Sequence, residues 1–208
     1  MTRNPDPGSD DWHTPPEIVD LVCKVWPNLP DLDPATSETA IVPALRRITP
    51  ESDGGIGGLE ADWGDASRVW LNPPYSRPAP WLRKLRDHVS QDLDPAVLPN
   101  SEGRPWGQRQ ALALVKADTS TRIWHEIAFP ESPALGVAPD VLWFRKRIRF
   151  VGPRSKGGKG SPNFPSSMLV WGPGAWDVGG GGSRTSNFRD HVAWVFRDLA
   201  HRTRGENT

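Results

Sequence analysis

The sequence predicts an α/β protein built on one mostly parallel sheet with an antiparallel hairpin at its edge. Helical segments alternate with short apolar strands through the first half of the chain, the pattern of a parallel sheet. Residues 68–71 and 111–115 are short apolar runs bounded by turn residues, as buried strands are. Near the end, two apolar strands are joined by a loop with no helix between them, which suggests an antiparallel pair at one edge.

Residues 1–11 read as a disordered tail. A first helix should begin at Pro15, with Thr14 as N-cap and Glu17 completing a capping box. Ile18, Leu21, Val22 and Val25 give it an apolar face, and Pro27 and Pro30 end it. A very short strand covers 31–33, and a Gly-rich loop covers 49–58. The strand at 68–71 stops at Asn72-Pro73-Pro74. A helix from about Ala79 to Val89 turns Trp81, Leu82, Leu85 and Val89 inward. Residues 92–108 form a long polar loop, 111–115 the clearest buried strand, and 121–129 a helix. Residues 141–144 and 148–151 are strands or one bent strand, 155–161 is a basic Gly loop, and 167–171 is the return strand. Residues 179–182 are a flexible run. A last amphipathic helix spans 187–201, with Phe188, Val192, Val195, Phe196 and Leu199 on one side. Trp70 and Trp194 are expected in the core. The reading is one domain over 12–203, with tails at 1–11 and 204–208.

Composition narrows the function. The chain has 208 residues, enough for a sizeable core without staples. Its 20 Gly and 23 Pro follow no repeat, so they mark turns and loops and exclude collagen. One cysteine, Cys23, excludes an internal disulfide and a cysteine zinc site. The five histidines have no metal spacing, and there is no Ser/His/Asp set and no phosphate-binding loop. No apolar run is long enough to cross a membrane, and no leader is visible, so a soluble protein of a reducing compartment is expected. Charge is balanced but polarised: residues 1–144 carry −8 and residues 145–208 carry +8. The C-terminal part is thus the one suited to a polyanion.

Asn72-Pro73-Pro74-Tyr75 carries the most chemistry. Side chains at the C-terminal end of a parallel strand face the ligand crevice. The two prolines fix the backbone and remove two N–H donors, which leaves the Pro73 carbonyl held in one direction. The Asn72 side-chain oxygen and that carbonyl can both accept from one –NH2 group, and Tyr75 offers a flat face for stacking. Two acceptors on a planar amine stabilise positive charge developing on its nitrogen.

Asn-Pro-Pro-Tyr after a strand resembles the signature of amino-methyltransferases, and the chain is similar to the small phage-type DNA adenine (N6) methyltransferases. The resemblance runs over about residues 12–172. It takes in Trp12-His13-Thr14-Pro15, Asp31 to Ser37, Asp53 to Leu59 with Trp63, and Val69 to Tyr75. It continues through Ala113 to Val115, Thr119 to Trp124, Arg147 to Phe150, and Phe164-Pro165. It implies a class I, Rossmann-like three-layer α/β/α sandwich that uses S-adenosylmethionine to methylate N6 of adenine in DNA. The target base would be flipped out, with Asn72, Pro73, Pro74 and Tyr75 as the catalytic set. It places Trp12, Thr14 and Pro15 over the methionine part of the cofactor, and makes Asp33-Pro34-Ala35 the start of the cofactor turn. The usual Gly-x-Gly of that turn is replaced by Thr36-Ser37-Glu38. Asp62, before the motif strand, is a further candidate for the cofactor's adenine.

Residues 145–159 hold seven cations and no acid. Arg147, Arg149, Arg154, Lys156 and Lys159 are therefore expected on DNA phosphates, with Phe164 near the flipped base. The only cofactor expected is S-adenosylmethionine. DNA is the partner, with no metal and no membrane. The chain is expected to work as a monomer, without a separate target-recognition domain, in the cytoplasm of a bacterial host of phage or prophage. Two alternatives remain: a protein-glutamine N-methyltransferase, and a non-catalytic DNA-binding module with a decayed cofactor turn.

Overall fold

A computed structural model describes residues 12–49, 57–91, 109–130, 138–151, 164–172 and 188–203. The loops at 92–108, 155–161 and 179–182, and both tails, lie outside these residues. The described elements are α1 (Pro16–Val25), β1 (Leu32–Asp33), β2 (Arg46–Arg47), β3 (Arg68–Leu71), α2 (Pro78–Ser90) and β4 (Gln110–Lys116). They continue with α3 (Arg122–Ala128), β5 (Asp140–Phe144), β6 (Ser166–Trp171), α4 (Phe188–Val195) and β7 (Ala200–Thr203). The seven strands form one mixed sheet in the order β2-β1-β3-β4-β6-β5-β7. The first four are mutually parallel, and every pairing beyond β4 is antiparallel.

Alternation along β4 divides the core in two. Leu112 and Leu114 join Trp70, Met168 and Val170 under α1 and α4. Ala111, Ala113 and Val115 join Val69, Leu71 and Leu169 under α2 and α3. A strand covered on both faces has no polar side, which is why 111–115 is apolar throughout.

Four expectations are corrected. The antiparallel pair β5–β6 is present but is not the edge: β6 is inserted against β4, and β7 pairs with β5 outside it. The predicted last helix ends at Val195 and the chain turns into β7, with Val141 opposite Thr203 and Phe144 opposite Ala200. The open edge of β5 offers backbone partners to those four residues, and that outweighs the helical spacing of Phe196 and Leu199. Residues 148–151 form no strand beyond a single bridge from Val151 to His13. Trp194 is 62% exposed rather than core, with the Arg197 guanidinium 4.4 Å from its ring centre.

The C-terminal elements are tied by charge. Buried Asp140 of β5 accepts from Arg189 of α4 at 3.2 Å and from Nε of Arg202 of β7 at 2.7 Å. Asp140 is 2% exposed, so a single bonded arginine would leave much of its desolvation uncompensated, and two hold it.

Candidate active site

β1 and β3 are parallel neighbours with Leu32 opposite Val69, so the chain leaves both strands at the same end of the sheet. β2 lies on the other side of β1, and the order therefore reverses at β1, where α/β sheets open a ligand crevice. Asp33 ends β1, and Asn72 follows directly on β3. The segment 12–14 approaches from the α1 side. It is fixed there by paired backbone bonds between His13 and Val151, of 2.6 and 3.0 Å. The result is a cavity of about 160 Å3 lined by Trp12, Thr14, Asp33, Ala35, Asn72 and Pro74, among others.

Asn72 is fixed from both ends. Its Nδ2 donates to the Trp12 carbonyl at 2.9 Å, with a longer contact of 3.4 Å to Thr14 Oγ1. Its Oδ1 accepts from the Tyr75 hydroxyl at 2.9 Å. An amide oxygen has two lone pairs, so one remains for another donor. The capping box read from Thr14 and Glu17 is not made: α1 has no side-chain cap, Pro15 occupies the N-cap position, and Thr14 turns its hydroxyl to Asn72 instead. Tyr75 meets Phe150 and Phe164 edge-to-face, at 5.5 and 5.0 Å between ring centres. Burial pushes its phenol well above the ordinary range, so the hydroxyl stays neutral.

Asp33 is 3% exposed and accepts from the Ala35 amide at 3.2 Å. Burial pushes its carboxyl up to about 7, against the opposing pull of the Ala35 amide, Thr36 and Arg47. The turn after it, which lacks glycines, is braced by Arg47 of β2. That guanidinium donates to Thr36 Oγ1 at 3.1 Å, the Ser37 carbonyl at 2.6 Å and the Ala40 carbonyl at 2.9 Å. Gly58 sits against the same turn, where a Cβ would stand 1.8 Å from the Pro34 carbonyl oxygen.

Residues 1–173 match the model of the DNA N-6-adenine-methyltransferase (Dam) family. The chain belongs to that family. Over 107 residues it is 32% identical to the DNA N-6-adenine-methyltransferase of Escherichia phage T1. That stretch covers 50% of this chain and 42% of the relative, so less than half of the relative's length is spanned. No solved structure matches the chain.

The other candidate residues of this Dam-family chain are spread over several places. Pro15 and Pro34 are buried and adjoin the cavity in sequence. Asp62 is not brought to it. It lines a separate cavity with Trp63, Lys84 and His88, and its carboxylate accepts from the Gly64 amide at 2.9 Å, as a turn-forming Asp does. Arg147 and Arg149 are exposed and alternate with buried Ile148 and Phe150, and Phe150 reaches Tyr75. Arg154, Lys156 and Lys159 lie outside the described residues. Phe164 touches Tyr75 and has the Lys116 Nζ 5.8 Å from its ring centre. Among the described residues no three His, Cys, Asp or Glu gather as a metal site, and no helix is long and apolar enough to cross a membrane.

Sequence reasoning missed Arg47 and Lys116. Arg47 sits in a two-residue polar strand with no apolar signal. Lys116 ends a strand that reads as apolar only up to Val115.

Proposed function

We propose that this chain methylates the exocyclic N6 amine of adenine in DNA, with S-adenosylmethionine as methyl donor, on a class I Rossmann-like fold. The observation that carries the reading is the oriented Asn72 amide beside a cavity that also holds Asp33. Trp12 and Thr14 hold its nitrogen, so its oxygen must face the Tyr75 side. A base flipped from the duplex would place its –NH2 where Asn72 Oδ1 and the Pro73 carbonyl accept its two hydrogens. Tyr75 and Phe164 would supply aromatic contact.

The donor set fits the cofactor. A buried carboxylate raised to about 7 suits a ligand bearing positive charge, and Asp33 supplies it in the cavity that Trp12 also lines. A cavity of about 160 Å3 is smaller than the roughly 300 Å3 of an ordinary ligand site, so it would take the methionine end. When bound, S-adenosylmethionine supplies a methyl group on a sulfonium, activated for in-line displacement. As the bond between N6 and the methyl carbon formed, the methyl–sulfur bond would break with its electron pair going to sulfur, releasing a neutral thioether, and positive charge would develop on N6. The two acceptors would stabilise that charge, and N6 would then give its extra proton to solvent water. Holding the amine in line supplies much of the acceleration.

Family membership favours a DNA amine over a glutamine amide and over a non-catalytic module. The phage relative is in keeping with a role in the cytoplasm of a bacterial host, and we read the chain as a monomer. The test is incubation with methyl-labelled S-adenosylmethionine and DNA of mixed sequence, followed by nucleoside analysis. Label in N6-methyl-2′-deoxyadenosine is expected. Label in protein glutamine, or none, overturns the reading.

A further inference from the structure

We propose that the groove between α1 and residues 144–149 binds an unpaired nucleotide of the same DNA strand whose adenine enters the cavity. This rests on the DNA reading above and adds a second subsite to it. The groove has a volume of about 340 Å3 and lies apart from the cavity at Asn72: the two share no lining residue.

Its floor and rim differ in chemistry. Ile18, Ile148 and half-buried Phe144 form an apolar floor with exposed Leu199 at its edge, while Arg145, Lys146 and Arg149 stand on the rim with exposed side chains. Arg147 also lines it, and the acids present are Glu17 and Asp198, so cations prevail by four to two. Arg149 makes no hydrogen bond or ion pair with any described residue. An apolar floor does nothing for a phosphate. Cations on the rim do nothing for an aliphatic ligand. A nucleotide uses both, with its base on the floor and its phosphates on the rim.

The base must be unpaired, because a paired base stays inside the stack and cannot reach a recessed floor. The groove is also joined to the site. Residues 144–151 run from β5 to the bridge with His13, and Phe150, next to Arg149, touches Tyr75. Six residue steps separate Phe144 from Phe150, at most about 22 Å of extended chain, which is a few nucleotides of strand. At the far end, Arg145 donates to the Arg197 carbonyl at 3.4 Å, and Arg197 stacks on exposed Trp194. Cationic and aromatic surface therefore continues past the groove.

The test uses the full chain and a labelled oligothymidylate of about twelve nucleotides, within the usual range of single-strand site sizes. It has no adenine, so nothing engages the cavity at Asn72. Replacing Lys146 and Arg149 together with Ala should lower the slope of log affinity against log salt by about 1.4, at roughly 0.7 per phosphate contact on a single strand. Phe144→Leu keeps an apolar floor but loses the ring. It should weaken oligothymidylate binding about tenfold and leave an abasic strand of equal length unaffected. An unchanged salt slope overturns the proposal. So does a Phe144→Leu effect that is equal on both strands, which would make the groove a polyanion surface only. The two readings fail separately. Loss of the groove leaves adenine methylation by the wild type standing, whereas a chain that methylates no adenine can still show the base-dependent binding.

Discussion

Gly58 packs against the carbonyl of Pro34 so closely that a Cβ would overlap it, at 1.8 Å from the oxygen and 2.8 Å from the carbon. Both atoms are backbone, so no side-chain rotation relieves the clash. Gly58→Ala should therefore displace the turn after Asp33, at a cost of about 1–3 kcal/mol, and weaken S-adenosylmethionine binding in calorimetry. Gly57→Ala is the control. Among the described residues its Cβ would meet the Glu60 carboxylate end, at 3.3 Å, and that side chain can move. Wild-type melting and binding are expected for it.

Asn72→Ala should slow methyl transfer by about 100–1,000-fold, the usual loss for one oriented electrostatic partner. Cofactor affinity should fall with it, because Asn72 Nδ2 holds the Trp12 carbonyl in the cavity wall. Tyr75→Phe removes a hydroxyl donor to Asn72 and keeps the ring between Phe150 and Phe164. It should cost about threefold to tenfold in rate, one net hydrogen bond. Single-turnover rates of the two variants separate these roles; a Tyr75→Phe loss as deep as that of Asn72→Ala would make the phenol itself essential.

How much of this was legible depends on what each residue answers to. Val69–Leu71 and Ala111–Val115 read correctly because burial on both faces leaves a local apolar signal. β2 did not, since Arg46 and Arg47 are exposed and owe their strand conformation to pairing with Leu32 and Asp33. β7 was hidden for the same reason, being defined by the edge of β5. Within the site, the Asn-Pro-Pro-Tyr motif was readable because prolines and a strand end act locally. The partner of Thr14 was not, because its hydroxyl serves a residue 58 positions away rather than the helix beside it. Arg47 likewise reaches across the chain to do what glycines do in a tighter turn.

Arg47→Ala should leave the sheet folded and loosen the turn at 36–40, which loses three acceptors' worth of contact. Bonds from a charged donor are worth about 1.5–3 kcal/mol each net of exchange with water, and less for an exposed side chain such as Arg47, so a rise in cofactor Kd of about tenfold is expected. Arg47→Lys should not rescue it, because one ammonium cannot reproduce the planar fork that spans Thr36, Ser37 and Ala40. Calorimetry with S-adenosylmethionine on both variants, alongside circular dichroism, decides the matter; full affinity in Arg47→Ala would show that the turn holds itself.

Asp33 gives the chain a pH signature. In the unfolded chain it ionises near 3.8, and in the fold near 7, because burial disfavours its charge. Between those values the native state holds a proton that the unfolded state has released, so its contribution to stability falls as pH rises across that window and is constant above it. Asp33→Asn removes the titration, and the difference in melting temperature between wild type and variant should shift against the wild type from about pH 4 to 7. Ligand binding runs the other way. A cationic ligand favours the ionised carboxylate, so S-adenosylmethionine affinity should climb with pH through 7 and level off above it, while Asp33→Asn binds weakly with no bend. Affinity that is flat in pH for the wild type would mean that Asp33 orders the turn through the Ala35 amide and never faces the cofactor's charge.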